Sequence, residues 1–161
     1  MSQPHNLLSR IEAVAVARTW VGTPYILGGR VKSAGCDCGT LLAEYSIECG
    51  MCTREELEDI GLYSHDWFCN TSEERYLLQL MRHARKALEG ICRGTAASET
   101  KPGCLALFKS VRSPLYNHGG IIVDWPKIVH AVDPHVVESD ATRHYLTSFA
   151  EMCIFDPWSE S

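Results

Sequence analysis

The spacing of apolar residues changes part-way along the chain. In the first half they recur every three or four positions. Leu7, Ile11, Val14 and Val21 form one such stripe, which predicts a helix over residues 6–20. Gly22-Thr23-Pro24 ends it. A loop rich in turn formers follows, with Gly28-Gly29 and Ser33-Ala34-Gly35. From there Cys38, Leu41, Leu42, Tyr45 and Cys49 again share one face, and Gly50 is a natural stop. Thr53-Arg54-Glu55-Glu56 has the form of a capping box and predicts a short helix to about Ile60. Thr71-Ser72-Glu73-Glu74 repeats that form. It opens a longer predicted helix with Leu77, Leu80, Met81, Ala84, Leu88 and Ile91 as its buried stripe.

After Pro102-Gly103 the period becomes two. Cys104–Lys109, Gly119–Asp124, Ile128–Val132 and Val136–Ser139 are short apolar or β-branched runs between turn signals. Met152–Asp156 is a candidate final strand. The linkers are too short for crossovers, so the predicted sheet is antiparallel. Helices first and a β-meander second predict an α+β domain. The chain of 161 residues suits one domain with one core, with a helical insert at about residues 53–94.

Composition narrows the function classes. With 45% apolar and 22% charged residues, the chain is an ordinary globule. A net charge of −5 argues against a nucleic-acid partner, which usually meets a basic face. No cationic start and apolar run mark a secretory signal, and no stretch is long enough to span a bilayer. The expectation is a soluble product made in the cytoplasm without a signal peptide or membrane insertion. Eight cysteines are many, but in such a chain reduced thiols are the default. Cys49-Gly50-Met51-Cys52 is a lone CxxC. With Cys69, Cys92 or His83 it would make a zinc module, yet a second CxxC is missing, so no metal or cofactor is expected.

One cysteine stands apart. Cys38 lies where a glycine-rich loop meets a predicted helix start. Unpaired N–H groups and the positive end of the macrodipole favour a thiolate there, and the same N–H groups suit an oxyanion. Cys36 precedes the helix and lacks that advantage. A cysteine nucleophile also needs a base within hydrogen-bond reach. Of seven histidines, His118 stands directly before the Gly119–Asp124 strand and His130 lies inside the next. Both numbers are even, so the two share a face only if the turn between their strands holds an odd number of residues. Asp124-Trp125-Pro126 and Val123–Lys127 each fit. His130 would then orient His118, as the third member of a triad does.

These residues carry a resemblance. Gly22-Thr23-Pro24-Tyr25, Gly28-Gly29 and Gly35-Cys36-Asp37-Cys38 are similar to the opening motif of NlpC/P60 peptidases. Pro102–Phe108 resembles the family's strand before the histidine, Asn117–Val123 its His-Val-Gly-Ile segment, and Ile128–Ala131 its third-residue segment. The order and spacing agree over about residues 10–135. The resemblance implies a papain-like α+β fold. It implies a cysteine endopeptidase that cuts the stem peptides of bacterial peptidoglycan, typically between D-Glu and diaminopimelate or Lys. Cys38 matches the nucleophile, His118 the base and His130 the orienting residue. Tyr25 and Asp37 match positions that hold substrate. As bland alternatives, Tyr25 is a core aromatic and Asp37 a helix cap.

There is one departure at the site. Gly39-Thr40-Leu41 follows the cysteine where the family usually has Ser-Gly-Leu, so the serine hydroxyl is missing. The stretch Asp37–Glu44, with Trp67 and Ser72–Leu77, resembles small phage-encoded members of tail-assembly regions. That implies delivery on a virion tail and tail-tip proteins as partners. A rival expectation is a virion structural module that keeps the fold with weak or lost activity.

Overall fold

Helix α1 (Arg10–Thr19) opens with a capping box, in which Ser9 accepts from the Glu12 N–H and the Glu12 carboxylate accepts from the Ser9 N–H at 2.8 Å. This computed structural model describes residues 6–60, 87–88, 100–110, 113–142 and 149–159. The helix is where its spacing predicts, but only part of the predicted stripe meets the core, with Leu7 and Val14 partly buried against it. Ala13, Ala17 and the following Trp20 are buried, whereas Ile11 is 85% exposed and Val21 is exposed. Small alanines let the helix lie close to the rest of the core, and a bulky stripe would hold it off.

Residues 30–36, predicted as loop, contain a two-stranded antiparallel ribbon, β1 (Arg30–Val31) with β2 (Gly35–Cys36). Helix α2 (Cys38–Glu48) follows at once. Its predicted apolar face is buried throughout: Cys38, Leu41, Leu42, Tyr45 and the C-cap Cys49. Gly50 stops it with φ +73°. The short helix expected after Thr53 is a 3-10 helix over Glu55–Ile60. The longer helix expected from residue 71 lies outside the described residues except at its end. There Ala87–Leu88 is extended and forms a strand, β3.

Among the described residues, six strands form one antiparallel sheet. They are β3, β4 (Leu105–Ser110), β5 (Tyr116–Asp124), β6 (Lys127–Val132), β7 (His135–Asp140) and β8 (Phe149–Phe155). Their order is β3-β8-β4-β5-β6-β7. One face, with Leu105, Leu107, Ile121, Val129 and Val136, packs on Ala13, Ala17, Leu41, Leu42 and Tyr45 of the helices. The other carries Ala106, Phe108, Ile122, Ile128 and Ile154. Alternation along each strand separates the two sets. The result is the α+β architecture that the order of elements predicts.

Both ends of the described chain are tied down. Arg10 forms a two-pronged pair with Asp156, at 2.7 and 2.8 Å, and its guanidinium lies over the Trp158 ring. Arg18 pairs with Glu138 and fixes α1 to β7.

Candidate active site

Asp37 builds the start of α2. Its carboxylate accepts from the Gly39 and Thr40 N–H groups, both at 2.9 Å, and from the Gly28 N–H at 2.7 Å. The Thr40 hydroxyl accepts from the Asp37 N–H at 2.9 Å. This reciprocal cap locks the Gly28-Gly29 loop to the helix and presents Cys38 as its first residue. Two N–H groups expected to serve an oxyanion are therefore engaged by Asp37.

Backbone pairing then carries the segment before Cys38 to the sheet. Cys36 N–H donates to Pro24 C=O at 3.1 Å, and Tyr25 N–H donates to Pro134 C=O at 2.8 Å. Gly22 and Thr23 exchange hydrogen bonds with Val136. Pro134 belongs to the tip that joins β6 to β7. His118 is near the start of β5, beside the end of β6, so Cys38 and His118 lie at one end of the sheet. The helix itself closes on that end. A Cβ on Gly119 would fall 2.5 Å from Leu42 Cδ1, one helical turn beyond Cys38. Deeper in α2, Glu44 is held by Arg30 and Arg54, each at 2.6 Å, which fastens the ribbon to the helix.

The two histidines meet. His118 Nε2 lies 2.9 Å from His130 Nδ1. The register explains it. The ladder pairs Ile121 with Val129 and Ile122 with Ile128, an even sum, so both imidazoles project from one face. The turn itself is narrower than expected. Asp124 pairs with Lys127 across a two-residue tip, which alone would put the rings on opposite faces. An irregularity between Ile122 and Asp124 leaves Val123 as the extra residue and restores the parity.

His130 is buried at 1% exposure, and its Nε2 lies 2.8 Å from Ser139 Oγ. Serine at 139 had no signal of its own in the sequence. It shares a face with His130 because β6 pairs His130 with Val137, two residues before it. The parity test applied to this second hairpin finds it.

Burial, and then any charge on His130, push His118 well below the ordinary histidine value, to about 3. The ring is a neutral imidazole at physiological pH. Its Nε2 is engaged by His130 Nδ1. Tyr25 is half-buried. Desolvation, with negative charge at Cys38 and Asp37, raises its phenol well above the ordinary value, so it remains a protonated donor near Cys38.

A neutral His118 has a measurable consequence. Between about pH 6.5 and pH 3 the unfolded chain binds a proton there that the folded chain does not. Its contribution to stability is complete above about pH 6.5. It is lost as the pH falls, by up to about 1.4 kcal/mol per pH unit. Urea titrations at pH 7 and pH 5 are expected to show that loss in the native chain and a smaller one in His118→Gln. Equal losses would mean that other groups carry it.

Of the cysteines other than Cys38, four of the five described lie in the core and Cys153 is partly buried. Cys36, Cys49, Cys52 and Cys104 are free and buried. Burial pushes Cys49 and Cys52 up to about 12. Among the described residues no three His, Cys, Asp or Glu side chains are grouped to hold a metal. No helix among them is long and apolar enough to cross a membrane. Trp67 and Ser72–Leu77 lie outside the described residues, as do Cys69, His83 and Cys92.

No family model matches the sequence, and no curated protein matches it either. Solved structures do match. NlpC2 from Trichomonas vaginalis has a TM-score of 0.61 at 14% identity over 99% of this chain and 51% of its own. The NlpC/p60 domain of the peptidoglycan hydrolase SagA has a TM-score of 0.55 at 19% identity, over 91% of this chain and 98% of that one. A Staphylococcus aureus protein described as similar to lipoproteins of the NLP/P60 family has a TM-score of 0.56 at 17% identity, over 95% of this chain and 44% of its own. The chain has the NlpC/P60 fold. It spans about half the length of two of these three structures. In this chain Cys38 opens α2, and the β5–β6 hairpin carries His118 and His130.

Proposed function

We propose that the protein is a cysteine endopeptidase that hydrolyses stem peptides of bacterial peptidoglycan, at the bond between D-Glu and diaminopimelate or Lys. The observation that carries the reading is the 2.9 Å contact of His118 with His130 at the end of the sheet where Asp37 presents Cys38. The likeness of the fold to the SagA domain supports the substrate class.

The chemistry follows from those groups. His118 Nδ1 takes the Cys38 proton, and the positive end of α2 favours the thiolate that results. The sulfur attacks the peptide carbonyl carbon. The Cys38 N–H donates to the oxyanion. His118 returns the proton to the leaving amine, the C–N bond breaks and a thioester remains. Water, deprotonated by His118, then releases the acid and the thiol. His130 holds the imidazole in place through each transfer.

Tyr25 and Asp37 are assigned to the substrate side on the family resemblance. Asp37 is 1% exposed and capped by three N–H groups, so its part is to shape the loop. The Tyr25 hydroxyl is the group that meets a peptide. Carriage on a phage tail and docking to tail-tip proteins belong to the same proposal and are supported by the sequence resemblance alone.

One observation favours the rival reading of a virion module with little activity. The Thr40 hydroxyl, nearest in sequence to the family's serine, is taken up by the Asp37 N–H. Purified muropeptides with diaminopimelate or Lys stems distinguish the two. The peptidase gives two fragments whose masses sum to substrate plus one water. Intact muropeptides, together with a Cys38 thiol that iodoacetamide does not label at pH 7, would sink the peptidase reading.

A further inference from the structure

We propose that Ser139 is a positioning residue for this site: by accepting the His130 Nε2–H, it sets the tautomer of both imidazoles and so keeps the His118 Nδ1 lone pair for Cys38. The inference rests on the peptidase reading for its purpose, but on geometry for its content. His118 Nε2, His130 Nδ1, His130 Nε2 and Ser139 Oγ form one chain, with contacts of 2.9 and 2.8 Å.

A neutral imidazole has one N–H and one lone pair. The chain therefore runs in one of two directions. In the first, His118 Nε2–H donates to His130 Nδ1, and His130 Nε2–H donates to Ser139. His118 Nδ1 then carries the lone pair a base needs. In the second, Ser139 O–H donates to His130 Nε2, and His130 Nδ1–H donates to His118 Nε2. The His118 proton then sits on Nδ1, and the ring has nothing to offer a thiol.

Proton transfer selects between them. Once His118 is an imidazolium, both its nitrogens are donors, so His130 Nδ1 must accept. His130 must then hold its own proton on Nε2, aimed at Ser139. The first direction is thus the same before and after the thiol gives up its proton, and nothing in the chain has to reorient. It needs an acceptor at 139, because His130 is buried and a lone Nε2–H there would be left without a partner. β7 is the edge strand and Ser139 is partly exposed, so the position tolerates substitution.

The test uses the full chain with Ser139→Ala and Ser139→Thr. Imidazole nitrogen resonances report the tautomers, and iodoacetamide alkylation of Cys38 between pH 5 and pH 8 reports the pair. The native chain is expected to hold both neutral rings as Nε2–H tautomers. Ser139→Ala is expected to move the His130 proton to Nδ1 and slow alkylation at pH 7 by about tenfold, with Ser139→Thr within about twofold of native. If Ser139→Ala does not fold, Ser139→Val against its isostere Ser139→Thr gives the same comparison. An unchanged alkylation rate in the variant without the hydroxyl, with or without a tautomer change, overturns the proposal. Both readouts need no peptide substrate, so they stand apart from any failure of muropeptide hydrolysis.

Discussion

Cys38→Ala is expected to lower muropeptide hydrolysis by about a thousandfold or more and leave the fold in place. The reasoning begins with which thiol can ionise. Burial, with the nearby charges of Asp37 and Cys38, pushes Cys36 up to about 12, so it stays a thiol at physiological pH. It also precedes α2 and lies fully buried in the ribbon. Cys38 alone stands at the positive end of the helix and at the sheet end that holds His118. In the proposed mechanism, removing its sulfur removes the atom that forms the thioester. The stability cost of losing one nearly buried sulfur is about 1 kcal/mol, small beside the loss of rate. Cys36→Ser is the control, expected to keep activity within about fivefold because a hydroxyl replaces a thiol that stays protonated. Fragment masses from a fixed time of digestion read both variants. Retained cleavage in Cys38→Ala would move the nucleophile elsewhere.

The residues that make this site were unequally legible. Cys38 and the buried face of α2 could be read from spacing, because five apolar side chains recur at helical intervals and a glycine closes the helix. The face of α1 could not. Ile11 and Val21 look like core, while the residues that are buried, Ala13 and Ala17, carry little hydrophobic signal. Their burial is decided by how closely the helix must approach its neighbours. Parity places His118 and His130 on one face from the sequence, on the assumption of a regular turn. The actual tip is two residues, and the displaced Val123 restores the register. Nothing in a β-branched valine announces that. Two-residue strands such as β1, β2 and β3 are too short for any period to register. Ala87–Leu88 fits a helical stripe in sequence, and pairing with Phe155 and Ile154 overrides it. In the sequence Asp37 fits either a cap or a substrate contact, and the three N–H groups on its carboxylate make it a cap.

The closest approach in the site sets the second large effect. Gly119→Val is expected to cost about 2 kcal/mol of stability and about a hundredfold in hydrolysis. On the favourable side, valine suits a strand and restricts the unfolded chain, which together are worth about 1 kcal/mol. Against it, even the first carbon of the new side chain falls 2.5 Å from Leu42 Cδ1 and 3.2 Å from its Cγ. Leu42 is 3% exposed, so its side chain has no open space to enter, and overpacking costs about 1–3 kcal/mol. The backbone yields instead, and α2 moves away from β5. Cys38 rides on the first turn of α2 and His118 adjoins Gly119, so the same displacement separates nucleophile from base. A shift of about 1 Å is enough for a hundredfold loss. Leu42→Ala tests the cause. Alone it opens a cavity and costs about 3 kcal/mol. Combined with Gly119→Val, it makes room for the new methyls, and the double variant is expected to lose less than the two single losses together by about 1 kcal/mol or more. Hydrolysis should recover in the same variant, since the helix can return to the strand. Strictly additive losses in urea titrations, with no recovery of rate, would show that Leu42 and Gly119 do not set the distance between α2 and β5.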